Sequence, residues 1–162
     1  MFRPDEREAL RAELVASART DRRIVAAAVT GSAARDALDR WSDIDLYFGV
    51  PAPADVAPAL AAWTTRMREA YGAVDHFDRP SGPAVYRVFL LPSTLQVDLA
   101  FVPADHFGPR GAAFRTLFGE AGSAFAPPAP RGMHDTAALG WLYALHARAC
   151  LGAAGSGAPS TW

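Results

Sequence analysis

The chain has 162 residues, 51% of them apolar and 20% charged, with a formal net charge of -1. That describes one globular domain with enough apolar side chain for a sheet-and-helix core; it excludes a disordered or fibrous protein and argues against nucleic acid as a partner. All 16 basic residues are arginine and the single cysteine is Cys150, so a lysine-dependent phosphate loop, a Schiff base and an intramolecular disulfide are excluded, and a cysteine metal cluster is disfavoured.

Residues 4–19 read as a helix, with Pro4 in the first turn, Asp5, Glu6 and Glu8 at the positive end of the dipole, and Leu10 and Leu14 four apart. The apolar run 24–29 predicts a strand buried on both faces and ended by Gly31. Residues 32–38 predict a short helix whose free N–H groups face the turn, a geometry that accepts phosphate. Residues 43–50 predict a strand in which Asp43, Asp45 and Tyr47 point one way and Ile44, Leu46 and Phe48 the other.

A helix is predicted over 54–71, where Val56, Leu60, Trp63, Met67 and Tyr71 recur at steps of three and four before Gly72. Residues 74–77 predict a short edge strand, 79–83 a turn, and 84–91 and 94–102 two strands joined at Pro92-Ser93 as an antiparallel hairpin. Residues 107–118 are rich in aromatics and predict a short helix; 124–130 predict an extended Pro/Ala connection. A last helix is expected over 133–151, with Leu139, Leu142, Tyr143, His146 and Cys150 on one side, and the Gly/Ala/Ser/Pro tail 152–162 is expected to be flexible. The fold expected is α+β, a mixed, mostly antiparallel sheet of about five strands packed on helices. No signal peptide or apolar run of membrane-spanning length is read, so a cytoplasmic location without a membrane partner is the expectation.

Chemistry concentrates in Gly31-Ser32 and the downstream Asp43-Ile44-Asp45. Two carboxylates on one strand face about 6 Å apart repel by roughly 2–3 kcal/mol at an effective dielectric of about 20. A divalent cation would turn that repulsion into ligation. Asp98, between Val97 and Leu99 in a second strand, has the same half-buried setting. Three carboxylates on one sheet face form a hard-oxygen site suited to Mg²⁺ together with substrate phosphates and water.

Gly31-Ser32, a spacer over 33–42, Asp43-Ile44-Asp45 and a later strand aspartate, Asp98, together resemble the nucleotidyltransferase superfamily of the DNA polymerase β type. The fuller string Gly-Ser-x-Ala-Arg followed by Ser-Asp-Ile-Asp-Leu is similar to the small bacterial members, which include aminoglycoside and lincosamide nucleotidyltransferases and the minimal forms of toxin–antitoxin pairs. The resemblance spans 24 to about 102. It implies a nucleotidyltransferase domain over 1–130, a C-terminal helix over 131–151 as the start of a reduced helical region, and a tail over 152–162. It also implies a nucleoside triphosphate substrate, ATP favoured, whose β- and γ-phosphates are held by Gly31 and Ser32. Two Mg²⁺ ions, replaceable by Mn²⁺, would be bound by Asp43, Asp45 and Asp98, and a nucleoside monophosphate would pass to an acceptor hydroxyl with release of pyrophosphate.

The acceptor implied is a small molecule such as an antibiotic. The alternatives are a protein partner, as in an antitoxin-like minimal enzyme, or a catalytically idle nucleotide-binding module. The short C-terminus leaves the acceptor side to a second copy or a helical partner, or marks a truncated chain. Arg35 and Arg40 are candidate phosphate partners because guanidinium meets phosphate bidentately. Ser42, in the same nucleotide-binding set, reads as orienting or capping the Asp43 loop. Arg87 is read as reaching the triphosphate or pairing with a carboxylate. His76, His106, His134 and His146 show no ligand spacing.

Overall fold

Apolar residues alternating on two central strands dictate the architecture, because each strand must bury one face under helices and leave the other to the site. The computed structural model describes residues 2–109, 113–123 and Gly140. Residues 2–123 fall within one compact unit, Met1–Pro127. The expected connection over 124–130, the helix over 131–151 with His134, His146 and Cys150, and the tail over 152–162 lie outside the described residues, Gly140 apart.

The chain runs α1 (Pro4–Thr20), β1 (Ala26–Thr30), α2 (Gly31–Ala34), β2 (Ile44–Val50), α3 (Val56–Tyr71), β3 (Asp75–Ser81), β4 (Ala84–Leu90), β5 (Gln96–Pro103) and β6 (Phe114–Phe118). The strands form one mixed sheet in the order β3-β4-β5-β2-β1-β6. Its centre is the parallel pair β2–β5; every other neighbouring pair is antiparallel. The β4–β5 hairpin is as the spacing predicts, with Thr94 in the left-handed region at φ 68°.

Among the described residues the sheet has six strands where about five were expected. The sixth is the correction to the helix expected within 107–118: Phe114–Phe118 instead pairs with β1. Without that partner, β1 would present an unsatisfied row of N–H and C=O groups beside a buried alanine run, and an aromatic segment covers such an edge well. The helix expected over 32–38 stops at Ala34 because Asp36 turns left-handed at φ 53°. The third strand runs on to Ser81, four residues past the expected end, because β3 stays in register with β4 up to the Ser81–Ala84 pair.

One face of the sheet carries Ile44, Leu46, Phe48, Phe89, Val97, Leu99 and Phe101, packed with Leu14 of α1 and Leu60, Trp63 and Met67 of α3. Trp63 lies at its centre, 4.8 Å from Phe48 between ring centroids, and its indole N–H donates to Asp21 Oδ2 at 3.0 Å. Gly72, left-handed at φ 66°, ends α3, and its N–H and that of Ala73 return to Arg68 and Met67. Tyr47, Phe107 and Phe114 form a smaller cluster on the opposite face. Truncating the central indole should therefore unseat the helical layer: Trp63→Ala is expected to lower stability by about 3–5 kcal/mol, read as the shift in the urea unfolding midpoint.

Candidate metal centre

Strand register assembles the three aspartates. Ile44 pairs with Val97 and Asp45 with Asp98 across the parallel β2–β5 seam, so Asp45 and Asp98 stand directly opposite each other on the face away from α1 and α3. Asp43, immediately before β2, lies two residues from Asp45 and shares that face. A carboxylate oxygen from each of Asp43, Asp45 and Asp98 lies within 4.8 Å of the others. No ion is needed to see the electrostatic cost. Burial, then Asp43 and Asp98, push Asp45 up to about 7, with Arg35 pulling the other way. Burial lifts Asp98 to about 6 and Asp43 adds to the rise, against a hydrogen bond from Gln96 and the charge of Arg79.

Gly31 closes the site from β1. Its φ is 62°, and a Cβ built there would lie 2.0 Å from Asp45 Oδ2, so only glycine admits this approach of the turn to the carboxylate. Beside it, Ser32 Oγ is buried and makes no hydrogen bond among the described residues. A buried hydroxyl with no partner suits a ligand oxygen. A hard-oxygen donor set, a glycine cradle against it and an orphaned hydroxyl together fit a divalent cation carrying an anionic, phosphate-like ligand.

The loop entering Asp43 is held from the far side by Arg7. Arg7 is buried, and it donates to the carbonyls of Asp39 at 2.6 Å and Ser42 at 3.0 Å. Ser42 Oγ donates to Asp39 Oδ1 at 2.8 Å and accepts the Asp39 N–H at 2.9 Å, so this hydroxyl bonds within the loop that precedes Asp43. Arg40, exposed, stacks on the Trp41 ring at 4.4 Å. Arg35 caps α2 and acts on Asp45 through its charge.

Arg87 takes the second role read for it, on the other side of the sheet: it pairs with Asp78 at 2.7 Å and donates to Thr64 of α3 at 2.6 Å. His76 stacks near Phe89 and meets Arg68 at 3.4 Å. Three contributors escaped the sequence reading. Gln96, two residues before Asp98 on the same face, was visible in the strand alternation. Arg79 neighbours Asp98 only through the β3–β4–β5 register, and nothing in the helical pattern of α1 marks Arg7 as buried.

A concavity of about 220 Å³ is lined by Asp75, Phe77, Val88, Leu90 and Gln96 among others, with none of the three aspartates in its lining. Val88 stands opposite Asp98 and Phe77 opposite Val88, so this apolar wall extends the site's own face toward the β3 edge. A second groove, of about 360 Å³, lies between α1 and β6, and the triad is not part of its lining. No protein-family model matches the chain, and no curated protein matches it either.

Two expectations test the site. Asp45 keeps its proton to about pH 7 when folded and to about pH 4 when unfolded, so the folded state binds more protons in between. Metal-free stability accordingly falls as pH rises from about 4 to about 7. Asp45→Asn removes that penalty, and at pH 8 it should raise the metal-free melting temperature by about 3 °C, about 1 kcal/mol after allowing for solvent screening, with no gain at pH 4. Gly31→Ala should displace the Asp45 carboxylate and strain the turn, lowering stability by about 1–3 kcal/mol, measured by thermal melting.

Proposed function

We propose that this chain is a metal-dependent nucleotidyltransferase of the DNA polymerase β type, moving a nucleoside monophosphate from a triphosphate, ATP favoured, to a hydroxyl on a small-molecule acceptor such as an antibiotic. One observation carries the reading: the Gly31-Ser32 turn, with its unpartnered buried hydroxyl, packs directly against a triad of carboxylates drawn from two adjacent strands. Neither half of that arrangement would carry the assignment alone. Supporting it are the spacing of Gly31-Ser32 to Asp43-Ile44-Asp45 and the mixed α+β sheet.

Asp43, Asp45 and Asp98 would hold the Mg²⁺, which when bound neutralises phosphate charge and activates the acceptor hydroxyl. Ser32 Oγ and the backbone N–H groups of the turn would donate to the phosphate oxygens, a task that a side chain at position 31 would obstruct. Arg35, exposed and already felt by Asp45, would add positive charge on the same side. In the transfer, the acceptor oxygen bonds to the α-phosphorus, the bond from that phosphorus to the bridging oxygen breaks, and pyrophosphate leaves. Asp98 would take the hydroxyl proton. The concavity walled by Phe77, Val88 and Leu90, in which Val88 is the strand partner of Asp98, supports an acceptor of small-molecule size with an apolar face.

Calorimetric titration of the four nucleoside triphosphates with and without Mg²⁺ tests this. The wild-type chain is expected to bind at least one of them only in the presence of metal, and Asp43→Asn and Asp45→Asn are expected to weaken that binding by about 100-fold or more, about 3 kcal/mol. A wild-type chain that binds no triphosphate in the presence of Mg²⁺ defeats the assignment.

A further inference from the structure

Gln96 is the first residue of β5 and, by alternation, shares the face of Asp98. The Ile44–Val97 pair sets it beside Asp43 across the seam. Its side-chain Nε2 lies 2.9 Å from Asp98 Oδ1 and 3.2 Å from Asp43 Oδ2, so one amide spans two of the three carboxylates. An amide nitrogen carries two hydrogens, and ionised carboxylates only accept, so chemistry dictates that the nitrogen rather than the oxygen faces them. One oxygen of each carboxylate is taken in this way, and each carboxylate has a second that Gln96 does not use.

We infer that Gln96 is a positioning residue for the metal centre: its amide fixes the orientation of Asp43 and Asp98 relative to each other so that their remaining oxygens meet a divalent cation without rearrangement. The inference rests on the reading of the triad as a metal site. Ligating carboxylates are commonly oriented by hydrogen bonds from residues that do not touch the ion, and loss of such a partner weakens metal binding about 10- to 100-fold. Arg35 and Arg79 also act on the triad, each through its charge. Gln96 supplies directed hydrogen bonds without adding a positive charge that would compete with the cation. Its exposed position on the strand makes it dispensable for the core.

The test uses Mn²⁺ alone as the probe, titrated calorimetrically into the full chain, with metal-free melting followed by circular dichroism. Gln96→Met keeps the length of the side chain and removes both donors; Gln96→Leu serves as a second variant. Both are expected to melt within a few degrees of the wild-type chain and to bind Mn²⁺ about 10- to 100-fold more weakly. Unchanged or tighter Mn²⁺ binding in both variants overturns the role while leaving the metal centre standing. So does a collapse of metal-free melting in both, which would make Gln96 structural. A wild-type chain that takes up no Mn²⁺ removes the centre itself, and Gln96's role with it.

Discussion

Three acidic side chains are forced onto one small area of a sheet, and most of what is distinctive in this fold can be traced to holding them there. The parallel pairing of β2 with β5 puts Asp45 directly against Asp98, and the strand period brings Asp43 to the same side. At about 5 Å and an effective dielectric of about 20, each such pair repels by roughly 3 kcal/mol. The opposite face supplies the compensation, since Phe48, Leu99, Phe101 and Trp63 are almost wholly buried under the helices. Burying side chains of that size contributes about 1.5–3 kcal/mol each, a term of the same order as the repulsion.

The two faces of the central strands therefore divide the labour. One is closed by α1 and α3; the other carries the acids, with the Gly31 turn on the β1 side and an apolar wall on the β4 side. Arg7 links them, reaching from α1 to the carbonyls that precede Asp43, so a residue of the helical layer sets the entry of the chain into the site. Replacing this buried guanidinium would remove a donor from each of those carbonyls and take one ion-pair partner from Glu8, so the charge there is held by both contacts.

Much of this was legible in the residue pattern, for local reasons. Alternation in 43–50 and 94–102 identified both acid-bearing strands and their inward sets, and the steps of three and four from Val56 to Tyr71 identified α3. The candidate triad came from Asp43, Asp45 and Asp98 each standing on the polar side of an apolar strand. What stayed hidden depends on partners distant in sequence. The segment 114–118 becomes a strand because β1 has an open edge, which its own aromatics do not announce. The parallel seam of β2 and β5 is invisible to periodicity, as is the burial of Arg7, since a helix reports its own stripe and not what crosses above it.

The order of the strands also has a kinetic side. Gly31, Ser32, Asp43 and Asp45 belong to neighbouring β1 and β2, whereas Asp98 arrives only after α3, β3 and β4 have been threaded into place. Non-local pairing of that kind is slow to form and late to be rewarded. A nascent chain accordingly holds only two of its three acids together until β5 docks, and a cation that needs all three would ignore the unfinished sheet. On the metal-site reading proposed above, uptake of a cation would act as a latch on the completed fold, adding stability in proportion to the logarithm of its concentration and withholding it from every partly folded form.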